Sequence, residues 1–208
     1  MKKLILIGVV FIFVSVLTET FAQNLIQNGS FEFPVVDLQL RVDTGATWLS
    51  GWVVGGTGDV FIHNGPANGI NQGPAQDGLN YLDLSGDGPP HAYVYQDLST
   101  VPGLTYSLKF YTGSSGGVSP IINIQLQGMG ILLNTNLAPL APTAGKINWF
   151  EETFSFVSDA NSVRLSFVDT SSSDDNASYV DNVSVSIIPE PTTLLPLGLV
   201  AMILWRRR

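Results

Sequence analysis

Cysteine is absent from this 208-residue chain, and histidine occurs only at His63 and His91. The first absence excludes disulfides, thioether haem attachment and thiolate metal sites. The fold must therefore be held by its core, with a bound ion as the one other staple available. The second absence removes the usual route to zinc, because neither histidine stands in a spaced ligand cluster. Positive charge is scarce too. Between residues 23 and 189 the only bases are Arg41, Lys109, Lys146 and Arg164, against fifteen acids, for a net charge of −11. Such a surface repels nucleic acid and anionic lipid, and leaves neutral sugars, cations or basic partners. A Gly-x-Ser-x-Gly elbow, a glycine-rich phosphate loop opening a helix, and an amphipathic helical period of useful length are all missing. Nothing in this inventory argues for an enzyme.

What is present starts at the two ends. Met1-Lys2-Lys3 precedes an apolar stretch from Leu4 to Leu17, and Thr20-Phe21-Ala22 supplies small residues at the −3 and −1 positions. This is the pattern of a secretory signal peptide cleaved after Ala22. At the other end Pro189-Glu190-Pro191 leads into an apolar run, Thr192 to Trp205, closed by Arg206-Arg207-Arg208. As a helix those 14 residues reach about 21 Å, short of the roughly 20 residues that a stable span needs. The run suits transient membrane insertion with its arginines left cytoplasmic. The chain thus divides into a leader (1–22), one domain (23–188) and a tail (189–208).

The domain reads as all-β. Tyr106, Leu108 and Phe110 alternate with polar neighbours, as do Val163, Leu165 and Phe167, and Val183, Val185 and Ile187. Further runs lie at 25–32, 48–54, 59–63, 81–84, 92–98, 121–126, 131–133 and 150–156. Gly55-Gly56, Asp77-Gly78, Gly86–Pro90, Pro102-Gly103 and Gly113–Gly117 punctuate them. About eleven strands are enough for a jelly-roll β-sandwich of two antiparallel sheets, flanked by the signal peptide and a C-terminal sorting helix.

The tail closely resembles the PEP-CTERM sorting signal of bacteria that make exopolysaccharide. That resemblance implies an exosortase-type membrane protease as partner, cutting near Pro189-Glu190-Pro191 and releasing the protein or transferring it to the cell surface. The domain shows its own succession of motifs: Asn24–Glu32, Ser50–Val54, Gly58–Ile62, Asp77–Leu84, Thr100–Phe110 and Tyr179–Val185. It resembles choice-of-anchor C domains, a branch of the galactose-binding-like jelly rolls, and carbohydrate-binding modules that open and close on similar segments. The resemblance implies that the first and last motifs lie side by side. It further implies a structural Ca²⁺ held by Glu32 and Asp181 with the carbonyl of Ser30, among the six to eight oxygens that this ion takes.

Two further groups of residues could carry chemistry. Glu151-Glu152 is an adjacent carboxylate pair, but successive strand residues point to opposite faces and could not flank one glycosidic oxygen. Aromatics are the better lead, since sugars stack their apolar faces on Tyr or Trp while a few polar groups take the hydroxyls. His91, Tyr93 and Tyr95 share one face of their strand, opposite Ala92, Val94 and Leu98. The aliphatic face belongs in the core, which leaves Tyr93, Tyr95, His91 and Asp97 as the expected ligand surface. Trp48, Trp52 and Trp149 are further candidates, with Trp52 expected in the core. The expected function is a non-catalytic module, exported through the inner membrane, that associates with extracellular polysaccharide at the cell surface or in the matrix. A purely structural matrix protein is the alternative, and a glycan hydrolase a more distant one.

Overall fold

The computed structural model describes residues 23–65, 73–87, 92–115, 120–140, 146–171 and 177–189. The leader, His91, Glu190, Pro191 and Arg206–Arg208 lie outside the described residues. Within them run eleven strands: β1 (Gln39–Asp43), β2 (Val53–Gly55), β3 (Asp59–Asn64), β4 (Asn80–Asp83), β5 (Tyr93–Ser99), β6 (Thr105–Gly113), β7 (Ile122–Gln127), β8 (Ile131–Leu137), β9 (Phe150–Val157), β10 (Ser162–Asp169) and β11 (Tyr179–Ile187). No helix of the described residues is long and apolar enough to cross a membrane.

The strands form two antiparallel sheets, ordered β1-β3-β4-β11-β6-β9 and β2-β5-β10-β7-β8. Period-two alternation decides which side of each strand is buried. Val94 and Leu98 of β5, Ile122, Ile124 and Leu126 of β7, and Val163, Leu165 and Phe167 of β10 turn inward. From the other sheet they meet Val60, Ile62, Leu82, Leu108, Phe110, Val180, Val183 and Val185. Trp52 is 2% exposed, stacked on Phe31 with centroids 5.4 Å apart and tilted against Phe167 at 6.1 Å. It joins the core as its sequence position predicts.

Two segments differ from the sequence expectation. Residues 25–32 do not form a strand. Asn28 and Phe31 adopt φ values of 53° and 54°, in the left-handed region, which breaks the extended run. The segment instead straps across β11. Leu25 N donates to Val185 O at 2.8 Å, Val185 N to the Asn24 side chain at 2.9 Å, and Val183 N to Gly29 O at 2.9 Å. Gly29 is required there, because a Cβ would fall 2.0 Å from Val183 O. The expected strand number is made up by β1, where Leu40 and Val42 alternate with Gln39, Arg41 and Asp43.

One end of the sandwich collects the β5–β6 loop, the β7–β8 turn, the β9–β10 turn and the end of β11. Gly103 N donates to Ser158 O at 2.8 Å and Thr100 N to Asn161 O at 3.0 Å. Asp159 accepts from Met129 N at 3.0 Å and Gly130 N at 2.9 Å. Ile188 N donates to Thr105 O at 2.9 Å, so the chain leaves the fold at this end.

Candidate functional site

Since β5, β10 and β7 turn their apolar residues inward, their alternate residues form an outer face. Strand register arranges these residues in rows. Gly55, Tyr93, Val168, Asn123 and Asn136 make one row, and Val53, Tyr95, Ser166, Gln125 and Asn134 the next. Asp97, Arg164 and Gln127 form a third. The face is thus aromatic at the β5 edge and rich in amides at the β7–β8 edge.

Tyr93 and Tyr95 are half-buried, with ring centroids 6.1 Å apart. Tyr93 lies against β2 over Gly55, where a Cβ would come within 2.4 Å of the phenol carbon. Tyr95 is covered differently. The Arg164 guanidinium sits 3.9 Å from its ring centroid, a cation–π contact. The same guanidinium grips Asp97 through two bonds, Nε to Oδ1 at 2.7 Å and Nη2 to Oδ2 at 2.8 Å. Hydrogen bonding from Arg164 holds the Asp97 carboxyl below its usual range, and Asp97 raises Arg164 in turn. Asp97 is therefore a charged partner that fixes Arg164 over Tyr95, and the pair adds no net charge to the face.

On the far side Asn123 Nδ2 donates to Asn134 Oδ1 and Asn136 Oδ1, each at 2.8 Å. This ladder spends one amide group and leaves others directed outward, a neutral donor–acceptor surface. Beside Tyr95 and Asp97 opens a cleft of about 490 Å³, also lined by Gln27, Val53 and Gln96. Gln96 points to the inner side and is locked to the opening segment, with Gln27 N donating to Oε1 at 2.8 Å and its own Nε2 donating to Gln27 O at 3.1 Å.

The first and last motifs do lie together, around the loop that precedes β4. Glu32 Oε1 accepts from Leu79 N and Asn80 N, both at 2.8 Å. Asp181, fully buried, accepts from Gln76 N at 2.8 Å, Asp77 N at 3.0 Å and Asn182 N at 2.7 Å. Ser30 enters through its hydroxyl, which donates to Asp77 Oδ2 at 2.6 Å. Burial pushes the Asp181 carboxyl up to about 7, and the charge of Asp77 adds to this against the three backbone N–H groups. The oxygen donors suit a hard cation in kind. Among the described residues, however, no group of three or more His, Asp or Glu side chains is gathered to hold a metal ion. As arranged, Glu32 and Asp181 clamp residues 76–80 onto the strap.

The remaining candidates fall elsewhere. Trp48 is exposed, while Trp149 meets Tyr81 edge to face at 5.7 Å and donates from its ring N–H to Pro74 O at 3.1 Å. His63, isolated in sequence, meets Asp83 at 3.1 Å within a buried cluster that includes Tyr81 and Tyr179. Only the antiparallel pairing of β3 with β4 brings this pair together. Glu151 faces outward, bonded to the Tyr111 hydroxyl at 2.7 Å and Lys109 at 3.0 Å. Glu152 pairs with Phe110 on the opposite side of β9. Sequence inspection missed Arg164 and the amide ladder. Their alternation is visible in Arg164-x-Ser166 and Asn123-x-Gln125-x-Gln127, but not the register that sets them beside the tyrosines.

The architecture is an all-β jelly-roll sandwich of two antiparallel sheets, similar in fold to a solved carbohydrate-binding module. The chain belongs to the family described as "Protein of unknown function (DUF642)", which it matches over residues 24–186. Among curated proteins none matches. Of solved structures, TmCBM61 in complex with beta-1,4-galactotriose is similar at 14% identity and a TM-score of 0.54, over 80% of this chain and 100% of that one. Arabinose-bound MgGH51 α-L-arabinofuranosidase is similar at 14% identity and 0.51, over 79% of this chain and 26% of that one. The CBM22-1 xylan-binding domain of Paenibacillus barcinonensis Xyn10C gives 14% identity and 0.46, over 74% and 95%. At these identities the likeness is one of fold.

Proposed function

We propose that the protein is an exported, non-catalytic module that binds extracellular polysaccharide on the outer face of the β2-β5-β10-β7-β8 sheet. The observation that carries this reading is the row joining Tyr93 to Asn123 and Asn136: an aromatic ring beside a neutral amide ladder on one sheet surface. A sugar stacks on Tyr93, and Asn123 and Asn136 across Val168 in the same row, with Gln125 and Asn134 of the next, take its hydroxyls. Tyr95 serves as a braced wall, since Arg164 already lies over its ring. The similarity to a galactotriose-bound module adds support at the level of fold.

Affinity electrophoresis of the 23–189 fragment through a panel of neutral polysaccharides tests the reading. At least one polysaccharide retards the fragment, and Tyr93→Ala weakens that retardation about tenfold or more, the scale of an interface hot spot. Unchanged retardation by a Tyr93→Ala variant with an unchanged melting temperature would place the site elsewhere.

Two further elements belong to the proposal. The leader and the Pro189-Glu190-Pro191 tail direct export and exosortase processing; intact mass of the secreted protein tests this, and a mature species retaining Trp205 and Arg206–Arg208 refutes it. Calcium sits at the corner of Glu32 and Asp181 with the Ser30 carbonyl, a reading supported by the hard oxygen donors there and by the repulsion between Asp181 and Asp77. Calcium then raises the melting temperature, and equal midpoints in calcium and chelator remove it.

A further inference from the structure

The end at which β11 leaves the fold carries a group of exposed apolar side chains. Val101, Met129, Ile131, Val157, Ile187 and Ile188 all lie there and are between 39% and 82% exposed. They come from four separate chain segments that hydrogen bonds draw together. Val157 pairs with Thr105, whose carbonyl accepts from Ile188 N at 2.9 Å. Met129 and Gly130 are tied to Asp159 of the neighbouring turn, so the acid at this end has its oxygens engaged by backbone.

A short tether connects this end to the most apolar part of the remaining chain. Ile188 and Pro189 are followed by Glu190, Pro191 and then the run from Thr192 to Trp205. Three residues extend at most about 11 Å at 3.3–3.6 Å each. The polar layer on each side of a bilayer is roughly 5–8 Å deep, from about 40–45 Å in total around a core of about 30 Å. A run that enters the hydrocarbon therefore keeps the sandwich end within about 11 Å of it, in the headgroup layer or a few ångströms above it. The six exposed side chains occupy the surface nearest the lipid.

We propose that this end of the sandwich docks on a lipid bilayer, with Val101, Met129, Ile131, Val157, Ile187 and Ile188 in the headgroup layer. The inference rests on the membrane-inserting reading of the tail. Docking orients the domain with its strands rising from the membrane, so that Asp97 lies nearest the lipid, Tyr93 further out, and the ligand face opens sideways. With a net charge of −11, the domain favours zwitterionic over anionic lipid.

The cysteine-free sequence gives a clean test. The chain from Gln23 to Arg208, holding every described residue, is labelled with an environment-sensitive dye at Met129→Cys, Val101→Cys or Leu140→Cys and mixed with phosphatidylcholine vesicles. Leu140 is exposed beyond the opposite end of β8, so none of the three replacements touches the core. The chain is expected to co-float with the vesicles. Dyes at 129 and 101 shift to the blue and are quenched several-fold more by headgroup-spin-labelled lipid than the dye at 140. Co-flotation with equal quenching at both ends overturns the docking while leaving tail insertion intact. Failure to float overturns both.

Discussion

Asp181 offers the sharpest test of the corner where the opening strap meets β11. Burial, helped by Asp77, raises its carboxyl from 3.8 to about 7 in the folded protein. Between those values the native state holds a proton that the unfolded chain has released. The group's contribution is therefore whole below about pH 4 and is lost as pH rises through 7. A gap of roughly three units corresponds to about 4 kcal/mol at 1.36 kcal/mol per unit. For a domain of this size that is a fall in melting temperature of about 8–16 °C between pH 4 and above 7.

Asp181→Asn removes the titration. Its amide nitrogen must face one of the three N–H donors, so the variant is less stable by about 1–3 kcal/mol at acid pH. The informative quantity is the slope. Urea melts at pH 4.5 and 7.5 give a falling stability for the natural chain, and a difference between the two pH values smaller by several kcal/mol for Asp181→Asn. Equal slopes would refute the argument that this carboxyl is held protonated by its surroundings. Calcium favours the ionised form, so in its presence the natural chain's slope flattens while the Asn variant does not respond.

Gly29→Ala places a methyl 2.0 Å from Val183 O and lifts the strap from β11. A loss of about 1–3 kcal/mol is expected in urea melts, and an unaffected midpoint would mean that the strap is not seated as described. Gly55→Ala drives a Cβ into the Tyr93 ring, at distances of 2.4–2.7 Å. Because β2 is a three-residue edge strand, the expected outcome is weakened polysaccharide binding with little change in melting temperature. Trp52→Ala removes a ring packed on Phe31 and Phe167 and should cost about 3–5 kcal/mol. Milder loss would place Trp52 outside the main core.

The sheets were readable because their information is local. Val163-x-Leu165-x-Phe167 and Val183-x-Val185-x-Ile187 announce a buried side by period alone, and the structure buries all of them except Ile187, which is exposed where β11 ends. The Tyr93/Tyr95 side of β5 followed by the same logic, from the burial of Ala92, Val94 and Leu98 opposite. The Arg164–Asp97 grip was not readable, since it depends on a pairing across 67 residues. The strap misled for a related reason. Leu25–Glu32 alternates well enough to pass for a strand, but Asn28 adopts a positive φ and spends its amide on Phe33 O at 2.6 Å and Ser50 O at 3.0 Å. Its side chain competes with the ladder that its neighbours suggest.

The opening strap and the last strand hold the residues that close the fold. Asn24 and Gly29 seat the strap on β11, Phe31 stacks on Trp52, and Glu32 and Asp181 clamp the 76–80 loop from two sides. The proposed ligand groups sit on β5, β7, β8 and β10, with their side chains outside the core those motifs secure. Exchanging Asn123, Gln125 or Asn134 leaves the strap, the clamp and the aliphatic interior unchanged. The side chains of the proposed outer face can thus be varied without touching the core that holds the fold. The strap and clamp bear on architecture alone, and the proposed ligand has to be read from the sheet face itself.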